Sequence, residues 1–290
     1  MKNLTLCFLL LFLNTQTVLA EPDYNAEDFT FDPTTSTLVA KFMGKVMLIR
    51  GKVSAENDKG MRKLKKGEKI YRKDLITTAS NGIIKIELVD QTTITLNKNS
   101  AFNVSEWNFN PQKGERDAVI NLLKGQMRTH FKVKAQKRNK LEVKVNNISM
   151  GVRGTKILTN AKMDQKGHEI TQVALIEGYG RLHDKNRDFQ EDMKTGDHYI
   201  SVIGPEESKT TMEKIPSKIV NQLLAAGKNP KKNFFPFLGN FDIKKMGMKK
   251  SKSNHSKGSS GDSSNNSGPK KDNWKDKMKK LNKSLQEERD

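Results

Sequence analysis

The sequence predicts an all-β protein. Its expected form is a twisted antiparallel β-sandwich or roll of short strands with internal strand–glycine–strand similarity, then a short helix and a basic, largely disordered tail ending in an amphipathic helix. Three observations carry this. Short β-branched runs separated by Gly, Asp and Asn recur from Val39 to Gly204. A pattern of two aliphatics, a charged residue and glycine occurs at Leu48, Leu122 and Leu175. Residues 249–272 hold almost nothing apolar.

In chain order, residues 1–20, MKNLTLCFLLLFLNTQTVLA, read as a secretory signal: one lysine, an apolar run from Leu4 to Leu13, and small residues at Val18 and Ala20 before a cleavage point. The run is too short to span a bilayer as an anchor, so a mature chain from Glu21 is expected. Cys7 is the single cysteine, which leaves the mature chain without disulfides, thiolate nucleophiles or cysteine metal ligands. An acidic lead occupies residues 21–38, and the β-domain is expected over residues 39–204.

Within that domain, IIKIEL at 83–88 alternates, with Ile84, Ile86 and Leu88 on one face and Lys85 and Glu87 on the other. After VDQ comes TTITL, with Ile94 and Leu96 on one face; together these predict a hairpin. KLEVKV at 140–145 is a further strand. TQVALIEG at 171–178 is apolar on both faces at Val173–Ile176, as a strand buried between two layers would be.

LIRGKV, LLKGQMRTH and LIEGYGRLH share their opening, and the last two also share Arg128 with Arg181 and His130 with His183. The offsets of 74 and 53 residues are unequal, so no solenoid is implied. Reuse of one corner is the simpler reading, because glycine permits the twist a strand needs to pass between sheets. Gly67-Glu68 and Gly196-Asp197 suit tight turns.

Residues 205–248 begin with PSKIVNQLLAAGKNP, whose Ile219, Val220, Leu223 and Leu224 lie at helical spacing between Ser217 and the stop signals Gly227 and Pro230. NFFPFLGNF follows, and its phenylalanines are expected to pack back onto the β-domain, with docking to a partner or membrane as the alternative. Residues 249–271 read as a disordered basic linker. Residues 272–290 read as a basic amphipathic helix presenting Trp274, Met278, Leu281 and Leu285 on one face, fit for an anionic membrane surface or a protein.

The formal charge is +20, and residues 228–290 hold 17 basic and 7 acidic side chains, half of that excess. Outside the cytoplasm this charge points to anionic lipid, wall polymer or acidic protein more than to nucleic acid. A solvated tail that only keeps the protein soluble fits equally well.

No chemistry-bearing constellation emerges. The five histidines show no HxH or HExxH spacing, and no GxSxG, SxxK, P-loop or dinucleotide pattern is present. GVRGTK has two residues between its glycines where a P-loop needs four. The expectation is therefore no catalytic residue, cofactor or metal site, and a protein that is not an enzyme.

The blocks GKVMLIRGKV, LKKGEKIYRKDLITTASNGIIKIELVDQTTITLNKNS, LLKGQMR, VNNISMGVRGTKILT, TQVALIEGYGRL and MKTGDHYISV together resemble the FecR-like domain family over roughly Ala40–Val202. Val152–Thr155, with Glu177-Gly178 further on, are its most specific part. The resemblance implies an extracytoplasmic all-β domain without catalysis, which in signalling members meets a partner protein and passes a signal across the inner membrane. Those members carry an anti-sigma segment and a transmembrane helix ahead of the domain, and this sequence carries a signal segment there. The family's central hairpin often has Asp-Gly; this chain has Asp90-Gln91.

The motif residues Gly151, Arg153, Gly154, Thr155, Glu177 and Gly178 are thus read as a structural corner. Gly151 and Gly154 bend the strand, and Arg153 fixes the bend against a carboxylate or backbone carbonyls. The expected function is a non-enzymatic, exported, periplasmic or secreted interaction and sensing module that binds a protein or envelope component. The alternative is a structural envelope protein attached through its basic tail to anionic membrane or wall polymer.

Overall fold

A computed structural model describes residues 29–34, 37–110, 113–135, 139–165, 167–205 and 207–226. The segments read as a signal, a linker and an amphipathic helix bearing Trp274, Met278, Leu281 and Leu285, with most of the acidic lead and the Phe-rich stretch, lie outside the described residues.

The first strands are β1 (Phe29–Asp32), β2 (Thr37–Ala40), β3 (Gly44–Arg50), β4 (Val53–Asn57), β5 (Gly60–Lys63), β6 (Lys69–Ile70) and β7 (Leu75–Thr78). Next come β8 (Ile83–Leu88), β9 (Thr93–Leu96), β10 (Ala101–Asn110), β11 (Glu115–His130), β12 (Leu141–Val145) and β13 (Ile148–Val152). The chain continues through β14 (Lys156–Met163), β15 (Glu169–Glu177), β16 (Tyr179–Asp184), β17 (Phe189–Lys194), β18 (Asp197–Ile203), β19 (Ser208–Lys214) and the helix α1 (Ser217–Ala226).

β1 and β2 pair with each other. The other strands form one curled sheet folded into two layers. The helix-side layer runs β6-β3-β8-β9-β11-β14-β15-β18-β19. The far layer runs β5-β4-β7-β10-β11-β12-β13-β16-β17. β11 belongs to both, pairing with β10 and β12 before Gly125 and with β9 and β14 from it onward. Among the described strands only the β11–β12 pairing is parallel.

Alternation builds the core. Ile84, Ile86, Ile94 and Leu96 of the expected hairpin face inward, where they meet Phe102, Ile120, Leu122 and Val143 of the far layer. Between β8 and β9, Gln91 takes the left-handed φ of 65° that glycine would otherwise supply. Asp90 steadies that turn by accepting from Thr92 N at 2.9 Å and Thr92 Oγ1 at 2.8 Å. Across the core, Tyr199 donates to buried Asp184 at 2.8 Å, tying β18 to β16.

β15 is two-faced, as its sequence predicts. Val173 and Leu175 enter the central core, while Ala174 and Ile176 join Leu158 beneath Val220 and Leu223 of α1. Two elements depart from expectation. β1 and part of β2 fall in the segment read as a lead, and β19 extends the sandwich beyond Gly204. β19, SKTTMEK, pairs on one side only with β18, so its polar composition carries little strand periodicity.

Candidate functional site

The three repeated glycines sit where the chain changes layer. Gly51 lies between β3 and β4, Gly125 divides β11, and Gly178 joins β15 to β16, with φ of 64°, 84° and 99°. Another crossing, from β13 to β14, passes through Arg153, Gly154 and Thr155.

The β13–β14 and β15–β16 crossings touch. A Cβ on Gly178 would stand 2.7 Å from the Gly154 carbonyl oxygen and 2.9 Å from Thr155 Cγ2. Gly154, at φ 74°, leaves 2.8 Å between such an atom and Lys134 Cγ. Gly178 N donates to Thr195 Oγ1 at 3.0 Å, and Phe131 N to the Thr155 carbonyl at 2.9 Å. Lys156 pairs with Glu177 across the junction. Arg153 is exposed and its Nε donates to the Ala135 carbonyl at 2.9 Å, a backbone partner and not a carboxylate.

Gly151 is not part of this bend. It is an exposed position inside β13, opposite Glu142 and Arg181, and an added Cβ would meet Arg181 O at an ordinary 3.9 Å. The strand turns one step later, so the part expected of Gly151 falls to Gly154 with Gly178. Gly154, Thr155, Glu177 and Gly178 thus come together at one corner.

The repeat's polar residues diverge. Arg128 is buried and Arg181 is exposed, where it pairs with Asp192 at 2.8 Å. His130 and His183 lie on opposite outer faces of the sandwich, opposite Lys156 and Ser149. Burial, reinforced by Lys156, lowers the His130 pKa to about 4. Among the described residues no group of three or more His, Cys, Asp or Glu could hold a metal.

A further concentration of charge lies elsewhere in the chain, on strands of both layers. Residues 41–74 hold twelve Lys and Arg against four Asp and Glu, a net +8. A shallow depression of about 330 Å³ opens there, lined by Lys52, Val53, Ser54, Lys63, Thr77, Thr78 and Ala79. Val53 and Ala55 point into the core, so Ser54 and Lys63 face outward from the far layer. Lys52, Lys63, Lys65 and Lys66 are exposed. Buried Asp74 anchors the lobe, accepting from Arg62 Nη1 at 2.9 Å, Asn57 Nδ2 at 2.7 Å and Tyr71 N at 2.8 Å. Sequence reasoning placed the charge in the tail and missed this second concentration, although the density of Lys and Arg from Arg62 to Lys73 signals it.

Two crystal structures of a candidate anti-sigma factor from Parabacteroides distasonis ATCC 8503, at 1.65 and 2.50 Å resolution, resemble this chain with TM-scores of 0.39 and 12% identity. The likeness covers 52% of this chain and 64% and 63% of theirs, less than two thirds of their length. No curated protein matches. The family model described as FecR protein matches residues 74–179, from the buried anchor Asp74 to one residue past the Gly178 corner. Over residues 74–179 the chain is therefore similar to the FecR protein family.

Proposed function

We propose that this protein is a non-enzymatic sensing module of the bacterial envelope, exported by its N-terminal segment, whose β-sandwich recognises a polyanionic component through the lobe of residues 41–74. The observation that carries this reading is the net +8 of that lobe, with Lys52 and Lys63 at the rim of an outward depression. Clustered ammonium groups on a rigid sheet attract polyanions over a Debye length and lose that attraction in salt. The FecR match of residues 74–179 supports a regulatory setting. The basic tail adds a second attachment.

The net +10 of residues 228–290 favours a second reading, in which the tail alone attaches the protein and the sandwich is its scaffold. Cross-linking in the native envelope, with the intact chain beside one ending at Met248, separates the two. Capture of the same component by both chains supports recognition by the sandwich. Capture by the intact chain alone overturns it in favour of the tail.

A further inference from the structure

Among the described strands the sandwich has four edges, β6 and β19 in the helix-side layer and β5 and β17 in the far layer. An edge presents unpaired backbone donors and acceptors, and proteins guard it by keeping it short or by charging it. β6 has two residues and β5 has four. β17, FQEDMK, carries Glu191 and Asp192 at its centre, so every central antiparallel pairing of β17 with a copy of itself sets carboxylate against carboxylate. β19, SKTTMEK, has seven residues, no proline and no bulge in its ladder with β18.

That ladder fixes which backbone groups of β19 face the open side. Gly204 N donates to the Glu207 carbonyl at 2.9 Å, and Ile215 N to the Gly196 carbonyl at 2.7 Å. Hydrogen-bonded pairs alternate along an antiparallel ladder, so Lys209, Thr211 and Glu213 turn their N–H and C=O groups to β18. Ser208, Thr210, Met212 and Lys214 turn theirs to the open side. The side chains alternate between faces: Lys209, Thr211 and Glu213 stand on the outer face in line with Val202, Ile200 and His198, while Met212 stands exposed on the inner face in line with Tyr199.

We propose that β19 is a self-association edge, on which a second copy of this chain pairs antiparallel about a two-fold axis at Thr211 and joins two helix-side layers into one sheet. A two-fold contact requires a strand that complements itself. In this register Lys209 of each copy lies opposite Glu213 of the other, Thr211 opposite Thr211, Thr210 opposite Met212 and Ser208 opposite Lys214. Opposite charges meet twice and like charges never, the reverse of β17. The Lys209–Glu213 pairs fall at non-hydrogen-bonded positions, where side chains approach most closely, and the four residues with open backbone groups fall at hydrogen-bonded ones. Within one chain Lys209 lies 3.8 Å from Glu207 and Glu213 3.2 Å from His198 Nδ1, yet the Lys209 and Glu213 side chains remain 38% and 45% exposed, which leaves each accessible to an opposite charge. Pairing also takes Met212 out of water, against Thr210 of the other copy. The strands β3 and β6 of the basic lobe lie at the other end of the layer, so both lobes stay open in the dimer.

The test is sedimentation velocity of the full chain over a concentration series, beside K209E and E213K, each checked for retained β-sheet circular dichroism. The unaltered chain should shift from monomer toward dimer as its concentration rises. Each variant alone sets like charges opposite each other and should weaken dimerisation by about tenfold or more. An equal mixture of the two variants restores both charge pairs and should dimerise as the unaltered chain does. A chain that stays monomeric at sub-millimolar concentration, single variants that dimerise as tightly as the unaltered chain, or a mixture no tighter than its components would each overturn the proposal. In a chain also carrying C7S, T211C should form an intermolecular disulfide across the axis and K209C should not; equal cross-linking of both would overturn the register. None of these readouts depends on the envelope component the lobe recognises.

Discussion

Arg128 Nη1 lies 2.8 Å from the carbonyl oxygen of Leu223, so a guanidinium rising from β11 holds the last turn of α1. Helix ends leave carbonyls without intrahelical partners, and a cation there also meets the negative end of the helix dipole. Burial lowers the pKa of Arg128, yet a guanidinium stays charged across the physiological range.

Arg128→Ala should cost about 1–3 kcal/mol of stability by unpairing that carbonyl and loosening α1. Urea unfolding gives the loss, and hydrogen exchange over residues 221–226 should accelerate relative to the β11 amides. Unchanged exchange in α1 would show that the contact does not hold the helix.

Two glycine substitutions separate corner from strand. Gly178→Ala combines a φ of 99° with a Cβ 2.7 Å from the Gly154 carbonyl and should cost at least about 2 kcal/mol. Gly151→Ala, with 3.9 Å of room in an ordinary strand position, should change stability by about 0.5 kcal/mol or less, or raise it. Equal melting shifts for the two would refute the assignment of the bend.

Burial holds His130 and His198 at a pKa of about 4 in the fold. His198 Nδ1 is 3.2 Å from the Glu213 carboxylate, but that carboxylate is half in water and desolvation wins. The unfolded histidines titrate near 6.5, about where model imidazoles do. Between these values the unfolded chain binds more protons, so this contribution is fully present above about pH 6.5 and is lost as pH falls toward 4. Denaturant unfolding at pH 7.5 and 5.0 should show a drop in stability that shrinks in a His130→Gln, His198→Gln double variant. A drop of the same size in both proteins would assign it to other groups.

Neutralising the lobe with Lys52→Gln, Lys63→Gln, Lys65→Gln and Lys66→Gln should weaken binding to vesicles rich in phosphatidylglycerol by roughly tenfold or more at low salt. The melting temperature should hold, because these side chains lie on the surface. Intact vesicle binding in this variant would transfer the attraction to the tail.

The sequence alone determined the β8–β9 hairpin, the two-faced β15, the span of α1 and the reuse of a glycine corner. Each rests on local physics: period-two alternation, an apolar run with no polar face, helical spacing between stop signals, and a residue without Cβ where the chain must turn. What lay beyond it depended on neighbours distant in the chain. β19 is a strand because β18 offers it an edge, and β1 because β2 does. Gly151 and Gly154 look alike in sequence, yet only Gly154 meets the β15–β16 crossing. Arg128 and Arg181 occupy the same place in their repeats, and tertiary register put one under a helix and the other in water. A side chain's chemistry is local, but its burial and partners are set by which strands the fold brings beside it, and that decided which lysines became a surface and which arginine became a cap.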